Sequence, residues 1–257
     1  MTETPTLALL AVAGVGAGWL NAIAGAGSLL TLPALIHAGL DATSANATNR
    51  LAVLVQCAVS LGTYVRAGQR PGRATGWLVL AAATAALPGA WLARMLAPTQ
   101  TQMGIAVATA IMAALVLLEP SYEAARNEAG RAANAPGGLD TAAVVALGFY
   151  AGLLQAGVGI LVLTWFVHVR GQSVVSANGL KYLLILATSV VAIVVFAADG
   201  SLLDLPRGLA LALGTAAGSW LGTRVVLRRG ERIVRTVIAL AVVALAVDLA
   251  LDAWPWR

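Results

Sequence analysis

Apolar residues fill most of this chain in blocks too long for a soluble fold, and polar residues fall between the blocks or at a few points inside them. No charged residue occurs from Thr4 to Leu40. As one straight helix, rising about 1.5 Å per residue, that run would far exceed a hydrocarbon core of about 30 Å. It must bend, break or fold back, and the pattern places the break at Asn21 to Ser28, where Asn21, Gly25, Gly27 and Ser28 interrupt the apolar run. A second helix begins near Asn46, continues through 51–65, and ends in a loop at 66–73 that carries Gly68, Pro71 and Gly72. Residues 74–93 form a third span and 101–118 a fourth, with a turn at Pro98 and Thr99.

The segment 119–140 is the one clearly polar insertion, with Glu123, Arg126, Glu128, Arg131 and an Asn134-Ala-Pro-Gly-Gly138 run. It reads as a solvated linker between two halves, 1–118 and 141–257. The second half then repeats the first. Gly14 and Gly18 recur as Gly148 and Gly152, and Asn21 four before Gly25 recurs as Gln155 four before Gly159. His37 and Gly39 recur approximately as His168 and Gly171, Ser44-Ala-Asn46 as Ser176-Ala-Asn178, and Gly89-Ala-Trp-Leu92 as Gly218-Ser-Trp-Leu221. Five matches in one order indicate an internal duplication of about 130 residues per unit.

Composition turns this pattern into a class. With 60% hydrophobic and 11% charged residues and a mean hydropathy of +0.86, the chain lies far from the roughly 25% charged of soluble domains. It is an all-α integral membrane protein, and 257 residues suit a bundle of about eight membrane segments. The net charge of +5 comes from two basic clusters, Arg66, Arg70 and Arg73, then Arg224, Arg228, Arg229, Arg232 and Arg235. They lack the basic groove with interleaved aromatics that would point to nucleic acid, and such clusters between apolar runs mark cytoplasmic loops. Cys57 is the only cysteine, so no intrachain disulfide can form. The N-terminal MTETPT has no Lys or Arg, so a cleaved signal peptide is not expected.

Placing both basic loops in the cytoplasm leaves five apolar segments between them, an odd number. One segment must therefore enter and leave on the same face, and the best candidate is 141–169, broken at Gln155 to Gly159. With 4–40 doing the same from the opposite face, the two halves have inverted topology, a broken or re-entrant first segment each, and both termini outside the cytoplasm.

Inverted repeats with broken segments put a substrate site where the breaks meet, and half-helix N-termini there favour anions. Gly25, Gly27, Gly157 and Gly159 would let backbone approach a ligand, and Asn21, Ser28 and Gln155 could add hydrogen bonds. Gly14, Gly18, Gly148 and Gly152 are read instead as helix-packing positions. Arg50 and Lys181 stand near the starts of the following helices among Thr48, Asn49 and Asn178. A cation there opposes the helix dipole, and an anionic substrate would compensate. Snorkelling to headgroups is the alternative for both.

The run Asn21-Ala-Ile-Ala-Gly-Ala-Gly-Ser28, continued by Leu29-Leu-Thr-Leu-Pro-Ala-Leu35 and followed by Ala47-Thr-Asn-Arg-Leu51, resembles the signature of the TauE/SafE family of sulfite and organosulfonate exporters. The second half agrees in layout, through Lys181 to the Arg228-Arg-Gly-Glu231 end of the third helix. The resemblance implies a prokaryotic inner-membrane transporter of small sulfur-containing anions such as sulfite or sulfoacetate. Departures at Ala24-Gly-Ala-Gly27 and Asn178-Gly-Leu-Lys181 bear on which anion it carries. A passive small-anion channel, or an uptake permease for a different anion, would use many of the same features.

An intramembrane enzyme is disfavoured, because no paired carboxylates, HExxH motif or Ser/His constellation occurs. His37 and His168, the only histidines, have no neighbouring cysteine or carboxylate that would suggest a metal, and no cofactor is expected; proton handling suits imidazole better. A coupling ion, proton or sodium, leaves no signature in the sequence, nor does an oligomeric state. Gln56 either lines the path or bonds a neighbouring helix. Asp248, in the last apolar segment, and Trp254 and Trp256 beside Pro255 are expected at the membrane interface.

Overall fold

In the computed structural model, the structure describes residues 3–69, 75–118, 137–198 and 202–229. The elements are α1 (Glu3–Ala24), α2 (Ser28–His37), α3 (Ala42–Arg66), α4 (Thr75–Met95), α5 (Pro98–Leu118), α6 (Gly138–Leu153), α7 (Val158–Leu163, running into a π-helical stretch Thr164–Val169), α8 (Val174–Ala197) and α9 (Leu205–Arg229). No strand occurs among the described residues. The expectations for Arg70, Arg73, most of the linker, Arg232, Arg235, Asp248, Trp254 and Trp256 lie outside the described residues.

Four helices, α1, α4, α8 and α9, are long and apolar enough to cross a membrane. Their surfaces fit that setting: Leu9, Val12, Trp77, Val194 and Leu213 face outward on helices whose opposite sides are buried. Asn46, Asn49, Arg50, Ser60, Lys181 and Ser189 are shut inside. Apolar outside and polar inside is the arrangement a hydrocarbon solvent selects.

Both expected breaks are present. The first run divides at Gly25–Gly27 between α1 and α2, and the second at 154–157 between α6 and α7. Gly25 and Gly157 have φ of +74° and +69°, a conformation open to glycine at little cost, whereas Gln155 adopts φ +43° without that freedom. Asn21 lies within the last turn of α1 rather than in the break itself.

Four helix starts differ from the sequence expectation: α5 begins at Pro98, where a turn is expected, because proline is accepted in the first helical turn, and α6 begins at Gly138, inside the segment read as linker. α3 begins at Ala42, four residues before Asn46, because the Asp41 carboxylate accepts from the Thr43 and Ser44 N–H groups at 2.9 and 3.1 Å. Likewise α8 begins at Val174, where Ser173 Oγ accepts from Ser176 N–H at 3.2 Å. These N-caps satisfy donors that the helix leaves open. Arg50 and Lys181 consequently stand about two turns inside their helices rather than one.

Small residues set the packing. α1 lies along α9, α9 against α3, α3 against α8, α8 against α4, and α4 against α6. A methyl group at Gly14 or Gly18 would stand 2.7 Å from Leu211 O and 2.2 Å from Thr215 O, and one at Gly218 only 1.9 Å from Val15 O. The α4–α6 contact has the same character: methyls at Gly148, Gly152 and Gly89 would meet the carbonyl oxygens of Ala82, Ala86 and Phe149 at 2.5, 2.3 and 2.1 Å. Backbones approach this closely only where no side chain intervenes, so these glycines are packing positions.

Candidate functional site: two helix breaks and two buried cations

The breaks meet. A methyl on Gly25 would lie 2.4 Å from the Gly159 carbonyl carbon, and one on Gly159 would lie 2.5 Å from Gly25 O. Close by, Ser28 Oγ, in the first residue of α2, accepts from the N–H of Gly157, the residue preceding α7, at 2.8 Å. The starts of α2 and α7 are thus joined directly, bringing two helix N-termini together.

The cations sit on the other side of each break, at the C-terminal ends of α6 and α1, and each belongs to the other half of the chain. Arg50, on α3, reaches the C-terminal end of α6: Nη2 donates to Gly152 O at 2.7 Å and Nη1 to Ala151 O. One turn earlier Asn46 Nδ2 donates to Leu153 O at 2.9 Å, and Leu154 N–H closes Tyr150 O at 2.9 Å. All four terminal carbonyls of α6 are thereby satisfied. Lys181, on α8, does the corresponding work for α1, with Nζ donating to Asn21 O at 2.9 Å while Tyr182 OH donates to Ala22 O at 3.3 Å. A positive charge at a helix C-terminus is favoured by the dipole. The unfavourable placement inferred from the sequence is therefore offset by the end of a neighbouring helix.

Both cations are fully buried, and neither has a carboxylate partner among the described residues. Aromatic faces are nearby instead, Phe196 at 5.3 Å from the Arg50 guanidinium carbon and Tyr182 at 4.5 Å from the Lys181 ammonium. The acidic groups with described ion pairs, Asp140 with Arg170 and Asp204 with Arg207, involve neither site cation. The junction therefore combines two helix N-termini with two buried cations that are held by helix-end carbonyls and by no carboxylate among the described residues.

All twelve residues singled out from the sequence, Asn21, Gly25, Gly27, Ser28, Thr48, Asn49, Arg50, Gln155, Gly157, Gly159, Asn178 and Lys181, are buried. The structure brings most of them to the two breaks and the helix ends beside them. Thr48 points elsewhere, its Oγ1 accepting from Asp204 N–H at 3.0 Å ahead of α9. Asn178 donates back to Val174 O of its own helix, at 3.1 Å. Gln155 Nε2 donates to Ser189 Oγ at 2.8 Å, which holds its left-handed backbone in place. The glycines present no open face: Gly27 is backed by Ala17 and Asn21, and Gly157 by Met112. Several buried atoms are left over, namely both amide atoms of Asn49, Arg50 Nε, Gln155 Oε1 and Asn178 Oδ1.

Sequence reasoning missed Asn46 and Tyr182 as site-forming residues. Asn46 carries a usable signal, since it precedes Arg50 by four and shares its helix face. Gln56 is a mixed case: its carbonyl accepts from Ser219 Oγ at 3.4 Å while its Oε1 is buried without a partner. His37 is exposed at the end of α2, bonded to Pro33 O at 2.8 Å. His168 lies in the π-helical stretch, and no cluster of three metal-ligating side chains occurs among the described residues.

Long apolar helices, two breaks between shorter ones and buried cations define a class, helical membrane proteins with a polar centre enclosed by protein. Comparison with known families supplies the particular one. A profile described as "Sulfite exporter TauE/SafE" matches residues 10–249, and the chain belongs to this family of membrane transporters. It is 28% identical over 250 residues to the "Probable membrane transporter protein ORF9" of Sinorhizobium sp, covering 96% of this chain and 93% of that one. It is 25% identical over 239 residues to the "Probable membrane transporter protein YfcA" of Escherichia coli strain K12, covering 92% and 86%. No solved structure matches.

Proposed function

We propose that this transporter exports a small sulfur-containing anion, sulfite or an organosulfonate such as sulfoacetate, by alternating exposure of the junction between its two helix breaks. The observation that carries the reading is the pairing of two N-terminal helix ends, joined through Ser28 and Gly157, with two buried cations that have no carboxylate partner among the described residues. Such a centre has an excess of positive potential in a low-dielectric setting, and an anion is the ligand that relieves it. Asn49 Nδ2 and Arg50 Nε, on successive residues of α3, are buried donors with no hydrogen-bond partner among the described residues.

The glycines in this reading let the two breaks close on one another. Substrate entry separates the Gly25–Gly159 contact and the Ser28–Gly157 bond, exposing N–H groups that are covered here. The packing order α1–α9–α3–α8–α4–α6 supports an inverted repeat, because it reads identically from either end when α1 is matched with α6, α3 with α8 and α4 with α9. About eight membrane segments, an inner-membrane location and non-cytoplasmic termini complete the proposal. The substrate class rests on the family's description.

Binding of sulfite, sulfoacetate, taurine, sulfate and chloride to the purified protein, read as thermal stabilisation, tests it. Selective stabilisation by sulfite or sulfoacetate, about 2.7 kcal/mol at a hundredfold excess over the dissociation constant, is the expected result. Stabilisation by sulfate and chloride equal to that by sulfite would remove the substrate assignment.

A further inference from the structure

At the far ends of α3 and α9 the structure carries a second positively charged feature, separate from the helix breaks. A cavity of about 320 Å³ lies between the two helices, and Arg66, Arg224 and Arg228 line it together with Trp220, Thr63 and Leu227. None of the three arginines has a carboxylate partner among the described residues. The Arg224 guanidinium lies over the Trp220 ring at 3.7 Å, which fixes one wall and leaves the N–H edge free to donate.

Three guanidiniums around one concavity repel one another unless an anion sits among them. Guanidinium groups match a phosphate through paired N–H donors. Exposed apolar side chains accompany the cavity: Trp220 in its lining, and Val65 and Leu221 next in sequence to Arg66 and Trp220, are 39%, 42% and 47% exposed. A free phosphate has no use for that surface, whereas a phospholipid would lay its acyl chains there. Tryptophan beside arginine is also the composition expected at headgroup level.

We propose that this cavity binds the headgroup phosphate of an anionic phospholipid in the leaflet that faces the basic loops. The lipid joins the end of α3, the helix that carries Arg50, to the end of α9. The inference does not depend on the identity of the transported anion.

Purified full-length protein, titrated in parallel with phosphatidylglycerol, phosphatidylcholine and inorganic phosphate, tests it, with bound lipid counted by native mass spectrometry. Phosphatidylglycerol is expected to bind at least about tenfold more tightly than phosphatidylcholine, and inorganic phosphate not to displace it. The Arg66→Gln/Arg224→Gln variant should lose about tenfold or more of that preference, since each charge near an anionic surface is worth about fivefold. These side chains are exposed, so the variant should fold; size-exclusion chromatography checks this. Arg207→Gln, at the opposite end of α9, should bind phosphatidylglycerol as the parent does. Equal binding of both lipids, full preference in the double variant, or an equal loss in Arg207→Gln would overturn the site. Displacement by inorganic phosphate at matching concentration would overturn the lipid and assign the cavity to a free anion.

Discussion

At the end of α6, a guanidinium and an amide from α3 take three successive carbonyls; at the end of α1, an ammonium and a phenol from α8 take two. The two sites face the same electrostatic task with different side chains and a different register. Arg50 follows Asn46 by four residues, whereas Lys181 follows Asn178 by three and Tyr182 by four. The position matching Arg50 is thus Tyr182, and the position matching Lys181 is Asn49. What the two halves share is a cation at the carbonyl end of the other half's broken helix, and either of two neighbouring helix positions can deliver it.

The breaks differ in the same spirit. In the first break Gly25 takes the left-handed backbone freely, while in the second both Gln155 and Gly157 take it, and Gln155 is held by Ser189. The first break is conformationally permissive and the second is braced by a side-chain bond.

The comparison is broken most severely at the contact between the breaks. Gly25→Ala adds strain at φ +74° and drives a methyl into the backbone of Gly159, so a loss of about 3 kcal/mol or more and poor recovery of folded protein are expected. Thermal unfolding of the detergent-solubilised variant checks this.

Next comes Arg50→Gln, which leaves the carbonyls of Ala151 and Gly152 without their donors, at about 1–3 kcal/mol each. Arg50→Lys should recover only part of this, because an ammonium does not present a planar fork to two carbonyls. The same melting measurement separates the three proteins. Lys181→Gln should cost less, about 1–2 kcal/mol, since Asn21 O keeps the Gly25 N–H at 2.9 Å. If Lys181→Gln proves more destabilising than Arg50→Gln, the asymmetry drawn between the two helix ends is wrong.

Smaller effects test the junction and the caps. Ser28→Ala removes the acceptor of the Gly157 N–H and should cost about 1 kcal/mol. Asp41→Ala should cost about 1 kcal/mol by loss of the α3 cap. Burial disfavours the Asp41 carboxylate, but hydrogen bonds from Ser44 and Thr43 outweigh it and hold its pKa below the ordinary value. Its contribution is therefore present above the ordinary carboxylate range and lost as pH falls through the lowered value. Melting curves of parent and variant should converge at acid pH.

Much of this was legible in the residues. A charge-free run too long to cross once had to break, and Gly25 to Gly27 is where it does. The glycine pairs at 14 and 18, and at 148 and 152, were readable as packing because spacing by four keeps them on one helix face. The helix starts were less legible. Asp41 and Ser173 cap α3 and α8, but Asn46 and Asn178, also good capping residues, sit five residues further on and matched each other across the repeat. Tertiary pairing was not legible, since nothing local states that Arg50 reaches a carbonyl 101 positions away or Lys181 one 160 away. The cations were visible as anomalies in apolar segments, and the structure shows that each anomaly is resolved by the opposite half.

The most direct measurement is efflux of sulfite from proteoliposomes carrying the parent protein or Lys181→Gln, the variant of the two cations expected to remain folded. Saturable efflux by the parent and at least about tenfold slower efflux by a folded Lys181→Gln are expected, because a buried charge facing the anion is worth more than about 1.4 kcal/mol. Efflux at the parent rate from the folded variant would contradict the assignment of the buried cations to the anion site.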